Sequence, residues 1–99
     1  IEHVPPRDLS TVERAVFECY QPGIVVLTTP NADYNPLFDL APGEFLDPDH
    51  RFEWGRAKFA QWVIGVARRN GYQVRIGSIG ESDPDLGSPT QTAWFVRLE

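Results

Sequence analysis

The chain contains two histidines, His3 and His50, and both stand beside acids. One belongs to the pair Glu2-His3. The other lies in Asp49-His50-Arg51-Phe52-Glu53-Trp54-Gly55-Arg56, which packs acids, arginines and aromatics into one short stretch. Glu2, His3 and His50 together could offer a carboxylate oxygen and two imidazole nitrogens to a single divalent ion. Mixed N/O ligation of that kind suits manganese, iron, cobalt or zinc, and suits magnesium less, because magnesium prefers oxygen. The plainer alternative is that both histidines are ordinary surface or core residues. Phe52 and Trp54 would then plug a helix entry, with the neighbouring charges solvated. Residue types and spacing leave both readings open.

The metal reading requires a fold that brings residues 2, 3 and 50 together. Ile24-Val25-Val26-Leu27-Thr28-Thr29 is a continuous, mostly β-branched run bounded by Pro22-Gly23 and Pro30, which predicts a strand buried on both faces, as in a parallel sheet. Ahead of it, Ser10-Thr11-Val12-Glu13 has the form of a capping box. Leu9, Val12, Val16 and Cys19/Tyr20 recur at helical spacing, and Pro22-Gly23 ends that helix. A helix feeding a buried strand is half of a βαβ unit. Neighbouring strands lie about 5 Å apart, so the segments that leave their C-terminal ends can converge, and ligands gather at that end of open α/β sheets.

Pro30 to Glu53 has no clear periodicity and carries Pro30, Pro36, Pro42, Gly43 and Pro48. Its Tyr34, Leu37, Phe38, Leu40, Phe45 and Leu46 predict an ordered binding loop rather than a disordered insertion. Arg56 to Asn70 reads as a second helix, with Phe59, Trp62/Val63 and Val66/Ala67 as its apolar stripe. Arg68 and Arg69 suit its last turn and Asn70-Gly71 supplies a left-handed stop. Tyr72, Val74 and Ile76 then alternate with polar residues as a strand. Gly80 to Thr90 is an acidic connection, with Glu81 to Asp85 solvated, and Gln91 to Leu98 is a final strand. Two closing strands joined without a helix pair antiparallel. The fold class is therefore α/β.

Composition narrows the functional classes. With 99 residues, 41% of them hydrophobic, the chain supports one modest domain. A net charge of −5 counts against a general nucleic-acid binder but leaves room for a partner gripped at one end. No apolar run approaches the roughly 18 residues of a membrane span, and the opening Ile1-Glu2-His3-Val4 has no signal-peptide character. The single cysteine, Cys19, excludes an internal disulfide, is expected to be a buried thiol, and fits a reducing, cytoplasmic setting. There is no G-x-G-x-x-G or G-x-x-x-x-G-K-[ST] to cradle a nucleotide. The chain also lacks methionine and opens as though on a strand in progress, so it is expected to be part of a longer protein. Thr28-Thr29-Pro30-Asn31 offers hydroxyls and an amide at a strand exit, either for substrate contact or as turn chemistry.

Taken together, Ile1-Glu2-His3, Thr28-Thr29-Pro30-Asn31 with Tyr34-Asn35, and Asp49-His50-Arg51-Phe52-Glu53-Trp54 with Arg56 and Phe59 resemble the small-RNA 3′-terminal ribose 2′-O-methyltransferases. This is the HUA-enhancer family, in its bacterial branch. The resemblance covers essentially the whole chain in matching order, and its last block is the most specific. It implies the C-terminal half of a class I S-adenosylmethionine-dependent methyltransferase sheet, with an antiparallel last strand. It implies methyl transfer to the 2′-hydroxyl of a terminal ribose, assisted by a divalent metal, manganese or magnesium. Glu2, His3 and His50 match three of four metal ligands, and the fourth, a glutamate three positions before Glu2, would precede Ile1. His3 and His50 are the catalytic candidates. Thr29, Pro30, Asn31, Tyr34, Arg51 and Arg56 are the expected substrate contacts. The methyl-donor half with its Gly-rich loop would also lie upstream. The partners implied are an RNA 3′ end and an RNA-repair kinase–phosphatase–ligase, with no membrane. Two departures stand out: Gly55 replaces the family's usual threonine before Arg56, and Leu46-Asp47-Pro48 replaces residues that are commonly basic.

Overall fold

The computed structural model describes residues 1–38, 40 and 44–98. Pro42 and Gly43 of the long loop lie outside the described residues. A 3-10 turn, Pro6–Asp8, leads into a short helix α1, Leu9–Glu13, and a π-helical stretch, Arg14–Tyr20. Strand β1 is Ile24–Pro30, a 3-10 segment spans Ala32–Phe38, and helix α2 is Arg56–Asn70. Strands β2, Tyr72–Ile79, and β3, Thr90–Arg97, close the chain. The sheet order is β1-β3-β2, and β3 runs antiparallel to both neighbours. Strands β1 and β2 are therefore parallel to each other, linked through α2, with the last strand inserted between them.

One face of the sheet carries the core. Phe59, Val63, Val66 and Ala67 of α2 pack with Phe17, Tyr72, Ala93 and Phe95, and Val25, Leu27 and Val74 add to this layer. Burying side chains of this size contributes about 1.5–3 kcal/mol each. Helix α2 ends as its sequence dictates: Gly71 adopts φ 73°, and its N–H donates to the carbonyl of Ala67. No described helix is long and apolar enough to cross a membrane.

Four expectations are corrected. Strand β1 is not buried on both faces: Ile24 is 61% and Val26 46% exposed. Trp94 and Val96 of β3 lie opposite Val26 and Ile24 and are open as well, so only one face of the sheet is covered among the described residues. The capping box does not form. Helix α1 already begins at Leu9, Ser10 lies inside it, and no side chain caps it. Glu13 instead accepts hydrogen bonds from Arg69 at 2.9 and 3.0 Å and from Asn70 at 2.8 Å, pinning the first helical segment to the end of α2. A local cap gave way to a tertiary cation.

Cys19 is exposed rather than buried. The cause is the π-helical geometry of Arg14–Tyr20, which winds more residues into each turn than an α-helix does. A stripe counted at 3.6 residues therefore drifts, Phe17 takes the core position, and Cys19 and Tyr20 rotate outward. Termination also falls earlier than Pro22-Gly23. Gln21 adopts the left-handed φ of 51°, and its N–H donates to the carbonyl of Val16 at 3.0 Å.

Candidate metal centre

Residues 1–4, the exit of β1 and the loop before α2 meet at one end of the sheet. The backbone N–H of Arg51 donates to the carbonyl of Glu2 at 2.6 Å, which fixes the His50 segment against the Glu2-His3 turn. The hydroxyl of Thr29, at the end of β1, donates to Glu2 Oε2 at 3.0 Å. Trp54 anchors the loop from the other side. Its carbonyl accepts from the backbone N–H of Ala32 at 3.0 Å and from Gln91 Nε2 at 2.9 Å. Its ring lies 4.3 Å from that of buried Phe52 and 5.6 Å from Trp62 of α2, centroid to centroid. These aromatics supply the apolar payload that holds an otherwise irregular segment in place.

The outcome is a cluster. Glu2, His3 and His50 each present one ligand atom, and these atoms all lie within 4.8 Å of one another. The two imidazole rings are 4.9 Å apart at an interplanar angle of 75°. His50 is buried, whereas the side chain of His3 is 60% exposed. Burial pushes the Glu2 carboxyl's pKa up, but hydrogen bonds from its own backbone N–H, the Ile1 ammonium and the Thr29 hydroxyl outweigh it and hold the pKa below the ordinary glutamate value. The group at the centre is thus a charged carboxylate beside two imidazoles.

Several expected substrate contacts have partners inside the chain. Thr29 is buried and its hydroxyl is committed to Glu2. Pro30 ends β1 opposite Thr90. Asn31 is buried, and its Nδ2 donates to the carbonyls of Leu86 and Ser88 at 2.8 and 2.9 Å while its Oδ1 accepts from the backbone N–H of Asp33. Arg56 reaches Asp33 Oδ2 through Nε at 2.9 Å and the carbonyl of Asp85 through Nη2 at 2.8 Å. These residues tie the β1 exit to the β2–β3 connection. Tyr34 is half-buried with its ring 5.3 Å from Phe38, and Arg51 is exposed.

The structure also reveals residues that motif reading passed over. One oxygen of Glu53 lies in hydrogen-bond contact with His50 Nδ1 and accepts from the backbone N–H of Leu46 at 2.8 Å, and the other accepts from Asn35 Nδ2 at 2.8 Å. The His-x-x-Glu spacing was the available signal. Asp33 caps α2: its Oδ2 accepts the backbone N–H of Arg56 at 3.0 Å. A threonine at position 55 would cap the same helix end from the N-cap position, its hydroxyl accepting a backbone N–H two or three residues on. A Cβ on Gly55 would stand 3.0 Å from Asp33 Cγ and closer still to one oxygen, so the glycine makes room for the replacement cap. Hydrogen bonds from Arg56 outweigh a desolvation that acts upward, and they lower the Asp33 pKa.

No family model matches the chain. A small RNA 2′-O-methyltransferase of Xenopus tropicalis is 38% identical over 98% of this chain, which spans 27% of that relative's length. The methyltransferase domain of bacterial CtHen1-C is 41% identical, with a TM-score of 0.82 over 99% of this chain and 48% of the solved chain. The small RNA methyltransferase HEN1 is 28% identical, with a TM-score of 0.90 over 99% of this chain and 13% of that one. The fold recurs in a Pnkp1/Rnl/Hen1 RNA repair complex, at 23% identity and a TM-score of 0.67 over 97% of this chain and 20% of that one. Sequence likeness and sheet order lead to the same place: the chain belongs to the small-RNA 2′-O-methyltransferase family, and it spans about half of a solved methyltransferase domain of that family.

Proposed function

We propose that the intact protein transfers a methyl group from S-adenosylmethionine to the 2′-hydroxyl of the 3′-terminal ribose of an RNA. In this reading residues 1–99 form the metal- and substrate-binding side of the domain, and the remainder of the domain holds most of the methyl donor. Glu2, His3 and His50 hold a divalent ion, manganese or magnesium. The observation that carries the reading is the convergence of these three side chains, far apart in sequence, to within 4.8 Å. The donor set fits: one charged carboxylate and two imidazoles, one of them fixed by Glu53. Manganese suits this mixture better than magnesium does.

Lewis acidity and a template for two vicinal hydroxyls are what such an ion supplies when bound. The protein's own groups do the rest. Glu2 and His50 are held rigidly by Thr29, Arg51 and Glu53. The 2′-oxygen forms the new bond to the methyl carbon as the carbon–sulfur bond of the donor breaks. The hydroxyl proton leaves to solvent, to which the His3 side of the site is open. Arg51 and Tyr34 are the groups left for the RNA end. An RNA-repair kinase–phosphatase–ligase partner and a cytoplasmic setting complete the reading. The RNA repair complex of like fold supports the first of these, and the single unpaired cysteine supports the second.

The test is methyl transfer from labelled S-adenosylmethionine to RNAs that differ only at the last ribose. A 2′,3′-diol end is expected to react and a 2′-deoxy end to remain unlabelled. Chelation should abolish transfer and added manganese restore it. Transfer that persists after chelation and in His50→Ala would overturn the metal assignment. Labelling of the 2′-deoxy end, or of a base, would overturn the substrate assignment.

A further inference from the structure

We propose that Glu53 is a positioning residue that sets the tautomer and ring orientation of His50, and so makes it a competent ligand; this rests on the metal reading above. An ionised carboxylate only accepts hydrogen bonds. The contact between Glu53 Oε2 and His50 Nδ1 therefore assigns the ring proton to Nδ1 and leaves the lone pair on Nε2. Ligating histidines are oriented in this way by a carboxylate on the second nitrogen. Glu53 does not itself serve as a ligand. Its side chain is 1% exposed, and three donors, from His50, Leu46 and Asn35, occupy its two oxygens.

The same network predicts how substitutions divide. Glu53→Ala leaves the buried donors of His50 and Asn35 without an acceptor, returns the exposed Leu46 N–H to solvent, and frees the imidazole to turn or change tautomer. Glu53→Gln retains one oxygen for His50 Nδ1 and the Leu46 N–H, and presents an NH2 group towards Asn35. Asn35 Oδ1 is the buried side-chain polar atom that lacks a partner among the described residues. A half-turn of the Asn35 amide brings that oxygen to the new donor, so the glutamine variant keeps the network closed.

Two measurements on the intact protein test this. Nitrogen-15 spectra of the imidazoles in metal-free protein should show His50 with Nδ1 protonated in wild type and Glu53→Gln, but shifted towards the Nε2-protonated form in Glu53→Ala. Manganese titration should show affinity about 10–100-fold weaker in Glu53→Ala, the range for lost partners of metal ligands, and within a few-fold of wild type in Glu53→Gln. An unchanged tautomer and affinity in Glu53→Ala would overturn the proposal. So would a folded Glu53→Gln that loses both. Wild-type protein that takes up no manganese would overturn the underlying metal reading, while the tautomer measurement still decides whether Glu53 orients His50.

Discussion

The start of α2 offers a perturbation whose size follows from the structure. Asp33→Ala removes the acceptor for the backbone N–H of Arg56 and the partner of its guanidinium. Losing a side-chain cap costs about 1 kcal/mol. The ion pair adds roughly 0–1 kcal/mol, since both side chains are substantially solvated. Together these give a loss of about 1–2 kcal/mol. Gly55→Ala acts through the same bond. Gly55 has φ −73°, which alanine adopts freely, so the damage comes from the new methyl displacing the pinned Asp33 carboxylate. Its cost should approach that of Asp33→Ala. In an Asp33→Ala background there is no carboxylate to displace, and Gly55→Ala should be close to neutral. The double-mutant cycle should thus show a coupling of about 1 kcal/mol or more. Gly55→Thr combined with Asp33→Ala should recover most of the loss, because the hydroxyl can serve as the cap. Urea unfolding of the intact protein followed by tryptophan fluorescence reads all of these, and Trp54 lies next to the change. Additive costs, or a Gly55→Thr that rescues nothing, would refute the shared-cap reasoning.

Other consequences are simpler. Hydrogen bonds from Arg69 hold the Glu13 carboxyl below its ordinary pKa despite partial burial, so its stabilising contribution is full above the unfolded-state value and fades as pH falls through the lower folded-state value. Stability-versus-pH curves of wild type and Glu13→Gln should therefore converge in acid and separate near neutrality; parallel curves would contradict the assignment. Phe59→Ala, at a fully buried position, should cost about 3–5 kcal/mol by denaturant titration, and a loss below 1 kcal/mol would show that the core there is loose. Residues 1–99 alone expose Ile24, Val26, Trp94 and Val96 on one sheet face, so they should associate with concentration in analytical ultracentrifugation; a monomer with a cooperative melt would contradict this.

Elements ruled by local pattern were legible in the sequence. The stripe on α2 and the Asn70-Gly71 stop give its bounds as observed, and the pairing of β2 with β3 follows from their short, helix-free connection. The parts that were not legible depend on partners distant in the chain. Glu13 answers to Arg69 rather than to Ser10, and the cap of α2 comes from Asp33 rather than from position 55. The open face of β1 is set by what packs against the sheet, which a β-branched run does not encode. The π-helical turn that exposes Cys19 has no periodic signature of its own. At the site, residue types suggested Glu2, His3 and His50, but the roles of Thr29 and Glu53 in holding two of them emerged only from the folded chain.

The most direct test of the central claim is pulsed electron paramagnetic resonance of the intact protein with one equivalent of manganese(II). The account predicts couplings from two imidazole nitrogens in wild type, one of which disappears in His50→Ala and the other in His3→Ala. Bound manganese with no nitrogen coupling, or a spectrum that neither substitution alters, would contradict it.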